Sequence, residues 1–240
     1  MIAAIMQPYF FPYIGYFQLM KAVDIFVLYD DAQYMKGGWI NRNRILVNHA
    51  PAWLTLPVHN ASLKLPISQR NYCLNPEAIA AIKVRLQMCY QKAPAFDFVY
   101  PFLCGLFDYS NSNVAAFNAN LLIEIARRFG LTCKFLTTSS MDTRADLKGQ
   151  AKVIHICREI GADRYINPIG GLPLYDEASF SDEGIQLQFL QAKPDDYPQF
   201  GAVPVPFLSI IDVLMFNSVE KTQEMLNNYR LFVPEKAPMR

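Results

Sequence analysis

Apolar positions change period several times along the chain, and each change marks a predicted element. Residues 2–6 (IAAIM) form a continuous apolar run, the pattern of a strand buried on both faces. From Tyr13 the apolar positions fall at 13, 16, 17, 20 and 23, the spacing of one helix face. DIFVLYDD (24–31) is a second β-rich run, and it ends in two carboxylates. Strand, helix and strand in such close succession make a βαβ unit, with parallel strands and a right-handed crossover.

WINRNRILV (39–47) and WLTLPV (53–58) read as the two strands of a hairpin joined through NHAPA. The period then turns helical. PEAIAAIKVRLQMCYQKA opens on Pro76, where a missing N–H is harmless, and Pro94 stops it. FVYPFLCGLF (98–107) reads as a buried helix, and NVAAFNANLLIEIARRFG closes on Gly130. CKFLTTSS (133–140) returns to strand character, and GQAKVIHICREIGA (149–162) is an amphipathic helix. RYINPIGG (164–171) is a strand running into a glycine loop, and GIQLQFLQ (184–191) is a further strand. After an irregular proline-rich loop at 194–206, SIIDVLMFNSVEKTQEMLNNY holds one or two helices with Ser209 or Ser218 as caps. The order predicts an α/β fold: an open, parallel, Rossmann-like sheet with a helical subdomain inserted at about 75–130, all within one domain spanning 1–240.

Composition narrows the class. Hydrophobic residues make up 52% and charged residues 18%, enough to bury a core, and a net charge of +1 gives no global pull toward nucleic acid. Cys73, Cys89, Cys104, Cys133 and Cys157 are odd in number and form no CxxC pair, which fits free thiols in a reducing compartment. No cationic segment precedes the apolar start, Pro8 and Pro12 interrupt it, and no 18-residue apolar stretch follows. A cytoplasmic protein without membrane insertion is expected.

In open parallel sheets ligands bind beyond the carboxyl ends of the strands, at the topological switch point. Three loops should converge there: QPYFFPYIG after the first strand, DDAQYMKGGW after the second, and NPIGG after the strand at 164–168. In the first, Gln7 and Pro8 follow the strand, and Gly15 opens a helix whose N–H groups favour anions. Tyr9, Phe10, Phe11 and Tyr13 read equally as a hydrophobic plug. The second loop carries Asp30, Asp31, Gln33, Lys36 and Trp39. In the strand that follows, alternation puts Arg42 and Arg44 on one face and Asn41 and Asn43 on the other. Two neighbouring guanidiniums repel unless they share an anion or face water, so they mark a phosphate or carboxylate site or a solvated edge. In the third loop Asn167, Gly170 and Gly171 allow close backbone approach to a ligand or a tight turn, with Tyr175 and Asp176 just behind. The three histidines lack metal-ligand spacing, no metal site is expected, and His155 reads as packing.

QPYFFPYIGYFQ, DIFVLYDDAQYMKGGWINRNRI, WLTLPV, YQKAPAF, GADRYINPIGGLPLYD and LSIIDVLMFN together resemble the WbqC-like family, over about residues 5–217. The resemblance implies bacterial surface-polysaccharide (O-antigen) biosynthesis, with a suggested glycine-transferase role, and brings no established catalytic residues. The first βαβ unit is also similar to the HUP-type nucleotidylyltransferases, whose first loop carries H-x-G-H. Here Tyr13 and Tyr16 stand at the histidine positions and Gly15 is retained. A tyrosine donates one hydrogen bond but brings no positive charge at neutral pH.

These readings predict a transferase that passes an amino acid such as glycine to a sugar through nucleotide-dependent activation. The alternative is a non-catalytic nucleotide- or nucleotide-sugar-binding module that partners a biosynthetic enzyme. Asp31, Lys36, Arg42 and Arg44 are the expected catalytic groups. Gln7, Pro8, Tyr13, Gly15, Tyr16, Asn167, Gly170 and Gly171 are expected to hold the cofactor, ATP or a nucleotide sugar, with Mg2+ as a candidate companion. Gln33, Trp39, Asn41, Asn43 and Tyr175 are the expected contacts to a nucleotide, sugar or amino-acid substrate.

Overall fold

The IAAIM run forms β1 (Ile2–Met6) inside the main sheet, flanked by parallel partners on both sides. Ala3 and Ile5 face one core and Ala4 the other, so both sides are apolar and the run is unbroken. The structure, a computed structural model, describes residues 1–144, 146–193 and 195–233, so Pro194 of the proline-rich loop lies outside the described residues.

The elements follow as α1 (Ile14–Lys21), β2 (Ile25–Leu28), β3 (Arg42–Val47), β4 (Ala50–Thr55), α2 (Pro76–Tyr90), α3 (Phe96–Leu106), α4 (Val114–Arg128) and β5 (Lys134–Thr137). Then come α5 (Gly149–Glu159), β6 (Arg164–Pro168), α6 (Glu177–Ser181), β7 (Gln186–Ala192), α7 (Ile210–Phe216), α8 (Val219–Met225) and β8 (Tyr229–Phe232). The main sheet runs β5-β2-β1-β6-β7-β8, parallel except for β8, which pairs antiparallel with β7 at the edge. Sequence order reverses between β1 and β6, which makes the sheet Rossmann-like and puts the switch point there. Residues of α1, α4 and α7 pack on one face, and residues of α5 and α6 on the other.

Several predicted elements shift. β3 and β4 are joined by Asn48 and His49 alone, with φ of 48° and 64°, so Pro51 and Ala52 of the expected loop pair within β4. α3 is half-buried: Val99, Leu103 and Leu106 face the core while Phe98 is 79% exposed. CKFLTTSS stops as a strand at Thr137, because Thr138–Ser140 turn into a single helical turn toward Asp30 and Asp31. The short elements α6 and β8 were not foreseen.

The loop between β1 and α1 is held from three distant parts of the chain. Asn43 Nδ2 donates to the Phe10 and Phe11 carbonyls at 3.1 and 2.9 Å. Asn118 Nδ2, on α4, donates to the Pro8 and Ile40 carbonyls at 2.8 and 2.7 Å. Ser209 Oγ, at the start of α7, donates to Phe11 O at 2.7 Å. All three side chains are buried, and so are Phe10 and Phe11. Phe11 sits at φ 42°, a backbone conformation that a bulky residue keeps only where its surroundings over-determine it. For Phe10 and Phe11 the plug reading therefore holds, with Phe107 packed against both rings.

Truncating Asn118 would leave two buried carbonyls and the Tyr72 hydroxyl, 2.9 Å from Asn118 Oδ1, without that partner. Asn118→Ala is expected to cost about 3–5 kcal/mol. The check is the urea unfolding midpoint at unchanged slope.

Candidate functional site

The first two rim loops and β3 meet around a recess of about 200 Å³ walled by Tyr9, Tyr13, Trp39 and Phe207, with Asn43 and Arg44 from the hairpin. Four predicted site residues, Tyr13, Trp39, Asn43 and Arg44, are thus brought together. Arg42 and Arg44 flank a pair of indoles. The Arg42 guanidinium lies 4.0 Å from the Trp53 ring centroid, Trp53 lies 5.3 Å from Trp39, and Arg44 lies 5.7 Å from Trp39. Aromatic faces attract the two cations and keep them apart. Arg42 also donates to the Gly37 and Gly38 carbonyls, while Arg44 reaches the Phe207 carbonyl only at 3.4 Å, and Arg44 Nε is buried without a partner.

Phe207 was not singled out in the sequence. It has φ 57°, and Ser209 N bonds to the Arg44 carbonyl just beyond it. The loop before it is tied to α7 by Asp212, which accepts from Tyr197 at 2.7 Å and Gln199 at 2.6 Å, and from Tyr90 at 2.8 Å. Burial pushes the Asp212 carboxyl above its ordinary value against the pull of these three donors.

Asp31 lies elsewhere on the rim. It accepts from Lys152 Nζ at 2.5 Å, Thr138 Oγ1 at 2.6 Å and Thr143 Oγ1 at 3.0 Å. Asp30 accepts from the Ser139 backbone and hydroxyl. Partial burial raises the Asp31 carboxyl, but hydrogen bonds from Lys152, Thr138 and Thr143 outweigh it and hold the group below its ordinary value. Lys152, on α5, is itself buried, with its ammonium 5.3 Å from the Tyr29 ring centroid. Sequence reasoning missed it. The available signal was that Lys152 stands four residues before the buried Ile156, on the apolar face of an amphipathic helix.

Among the described residues, Lys36 is exposed and without an ion-pair partner, and Gln33 is exposed, donating to the Leu63 carbonyl. Asn41 bridges the Tyr34 hydroxyl and the Leu56 carbonyl. After β6, Asn167 donates to Tyr165 Oη, which lies 3.4 Å from Tyr175 Oη. Gly171 admits Asn167 closely, since a Cβ there would lie 2.0 Å from Asn167 Oδ1, whereas Gly170 faces open space.

The first turn of α1 does not fit the phosphate that the H-x-G-H sites receive. The Tyr13 ring lies over Gly15, where a Cβ would come within 2.3 Å of it. Tyr16 is buried and donates to the Gln7 carbonyl at 2.7 Å, and the Pro8 carbonyl is taken by Asn118. Tyr13 and Tyr16 therefore shape the loop, and no adenylyl step is routed through them. No group of three or more His, Cys, Asp or Glu among the described residues could hold a metal ion. Burial pushes Cys133 up to about 11 and Cys157 up to about 12, so neither is a thiolate near neutral pH.

No helix among the described residues is long and apolar enough to cross a membrane. No solved structure matches the chain. The chain is similar to the uncharacterized protein Rv1507c of Mycobacterium tuberculosis, with 27% identity over 216 residues that cover 89% of this chain and 92% of the relative. The loops that form the recess, the Asp31–Lys152 pair and the Asn167 turn all fall within residues 7–224, which match the WbqC-like protein family, and the chain belongs to that family.

Proposed function

We propose that this protein is a transferase of bacterial surface-polysaccharide assembly, acting in the cytoplasm on a small activated substrate held at the carboxyl rim of its sheet. The observation that carries this reading is a cation from each face of the sheet at its carboxyl rim, Arg44 beside the β1–α1 loop and Lys152 beside the end of β2. Arg44 approaches with the loop of α1, and Lys152 approaches on α5, whose residues pack on the opposite face. Developing negative charge in a group transfer is stabilised by such fixed cations in a water-poor site. Lys152 is positioned for this by Asp31, while Arg42 ties the Gly37–Gly38 turn to the hairpin and Lys36 stands exposed on the same loop. The Rossmann-like topology supports binding of a nucleotide, either ATP that activates the transferred group or a nucleotide sugar that receives it. An amino acid such as glycine, first activated by ATP as its adenylate with release of pyrophosphate, is the group passed to a sugar hydroxyl, with AMP leaving. Five free thiols fit a reducing compartment.

The second reading, a nucleotide- or nucleotide-sugar-binding module without turnover, is favoured by one observation: the Tyr13 ring over Gly15, where related catalytic sites receive phosphate.

A thermal-shift screen with nucleotides, nucleotide sugars and amino acids separates the readings when paired with amino-acid-dependent ATP–pyrophosphate exchange. A ligand at a hundred times its Kd is expected to add about 2.7 kcal/mol of stability. Binding with exchange supports the transferase, binding without exchange for any amino acid supports the module, and no shift with any class overturns both.

The Asp31–Lys152 pair also predicts a pH response. Because Asp31 is held below its ordinary value of 3.8, its contribution is present above about pH 4 and is lost as pH falls through the lower folded-state value. Lys152→Met leaves a half-buried carboxylate without its cation and is expected to lower stability by about 2 kcal/mol at pH 7. At pH 3 the gap between variant and parent should narrow, measured by urea unfolding at both pH values.

A further inference from the structure

The recess beside Trp39 holds a cation that the protein itself does not pair. Arg44 Nε is buried without a partner, and no carboxylate among the described residues pairs with the Arg44 guanidinium. Tyr9 and Tyr13 form two of the walls of the recess. The Asn43 side chain, by contrast, is fully engaged with the Phe10 and Phe11 carbonyls and the Arg44 N–H. The recess thus combines aromatic walls with one guanidinium that no carboxylate pairs.

Size and ring geometry narrow the ligand. At about 200 Å³ the space is smaller than the roughly 300–1,000 Å³ of pockets that take drug-sized molecules, so it suits one ring with its substituents. A nucleobase is gripped best between parallel aromatic planes. Tyr13 and Phe207 already touch at 6.1 Å and are tilted by 60°, which leaves no parallel slot between them. A saccharide ring needs only one aromatic face for its polarised C–H groups, with hydroxyl partners at its edge. Trp39 offers such a face, since it is 39% exposed. A planar guanidinium that no carboxylate pairs, and whose terminal nitrogen makes one long bond of 3.4 Å, suits binding of a carboxylate or phosphate.

We propose that this recess is a subsite for a single hexopyranose ring bearing an acidic group, a hexuronate or a hexose phosphate. The ring lies on Trp39 between the walls made by Tyr9 and Tyr13 and places its anion on Arg44. The inference rests on the transferase reading for its role, in which the bound ring belongs to the acceptor. Gly15 serves the subsite indirectly, because only a residue without a Cβ lets the Tyr13 ring lie where it does.

The protein has two tryptophans, Trp39 and Trp53, so Trp53→Phe leaves Trp39 as the sole indole reporter. Titration of that variant with glucuronate and glucose 6-phosphate is expected to change its fluorescence saturably. Glucose should bind at least about tenfold more weakly, as expected for loss of a charge-assisted bond. Arg44→Gln should abolish that difference while leaving glucose binding unchanged. Gly15→Ala should weaken all three sugars together. Calorimetric titration of the unsubstituted protein reads the same ratios without relying on any variant.

Three results would overturn the subsite: no saturable response to either acidic hexose, inorganic phosphate binding as tightly as glucose 6-phosphate, or uridine monophosphate displacing the sugars at lower concentration. Ring binding without any transfer activity sinks the transferase reading and leaves the subsite standing. Exchange activity without ring binding does the reverse.

Discussion

The carbonyl groups of Pro8, Phe10 and Phe11 are the constraint on which the rest of the rim depends. They leave β1 in a loop too irregular to satisfy itself, and buried side chains from β3, α4 and the start of α7 supply the donors. An unsatisfied buried carbonyl costs about 1–3 kcal/mol, so each donor is fixed as firmly as the loop. Asn43 thereby sets the hairpin against the loop, and its neighbour Arg44 inherits that placement. Asn118 does the same for Ile40, next to Trp39. The aromatic recess is a by-product of hydrogen bonding beneath it.

What could be read from residues alone follows from the range of the interactions involved. The first βαβ unit, the hairpin and the capped helices are local patterns, and Asn75, Asn113, Ser209 and Ser218 cap helices as short polar residues do. β8 escaped because four mixed residues at a sheet edge carry no alternation strong enough to stand out. At the site, Tyr13, Trp39 and Arg44 were legible because loops after parallel strands converge by topology. Lys152 was not, since its partner Asp31 lies 121 residues away and a lysine on a helix ordinarily reads as solvated. Phe207 was hidden in a proline-rich loop whose path depends on Asp212, itself outwardly an ordinary helix-start carboxylate.

The Asp31 and Asp212 carboxyls pull stability in opposite directions with pH. Asp31 has an ammonium beside it and favours the folded state once ionised. Asp212 has only neutral donors, so burial raises its pKa, and its contribution is greatest in acid and declines as pH rises through its folded-state value. The first tie belongs to the α5 flank of the rim and the second to the loop behind Phe207. Acidification therefore loosens one wall of the site while relieving the charge held behind the other.

The bond from Ser209 to Phe11 spans 198 residues. At about 5–20 residues per second, a ribosome takes roughly 10–40 s to make the chain between them. The first rim loop to be synthesised thus cannot reach its final shape until nearly all of the protein has followed it. Until then the Phe11 backbone has no reason to hold its left-handed turn, and the recess has no floor. During translation every parallel strand of the sheet is made before the recess can take its shape.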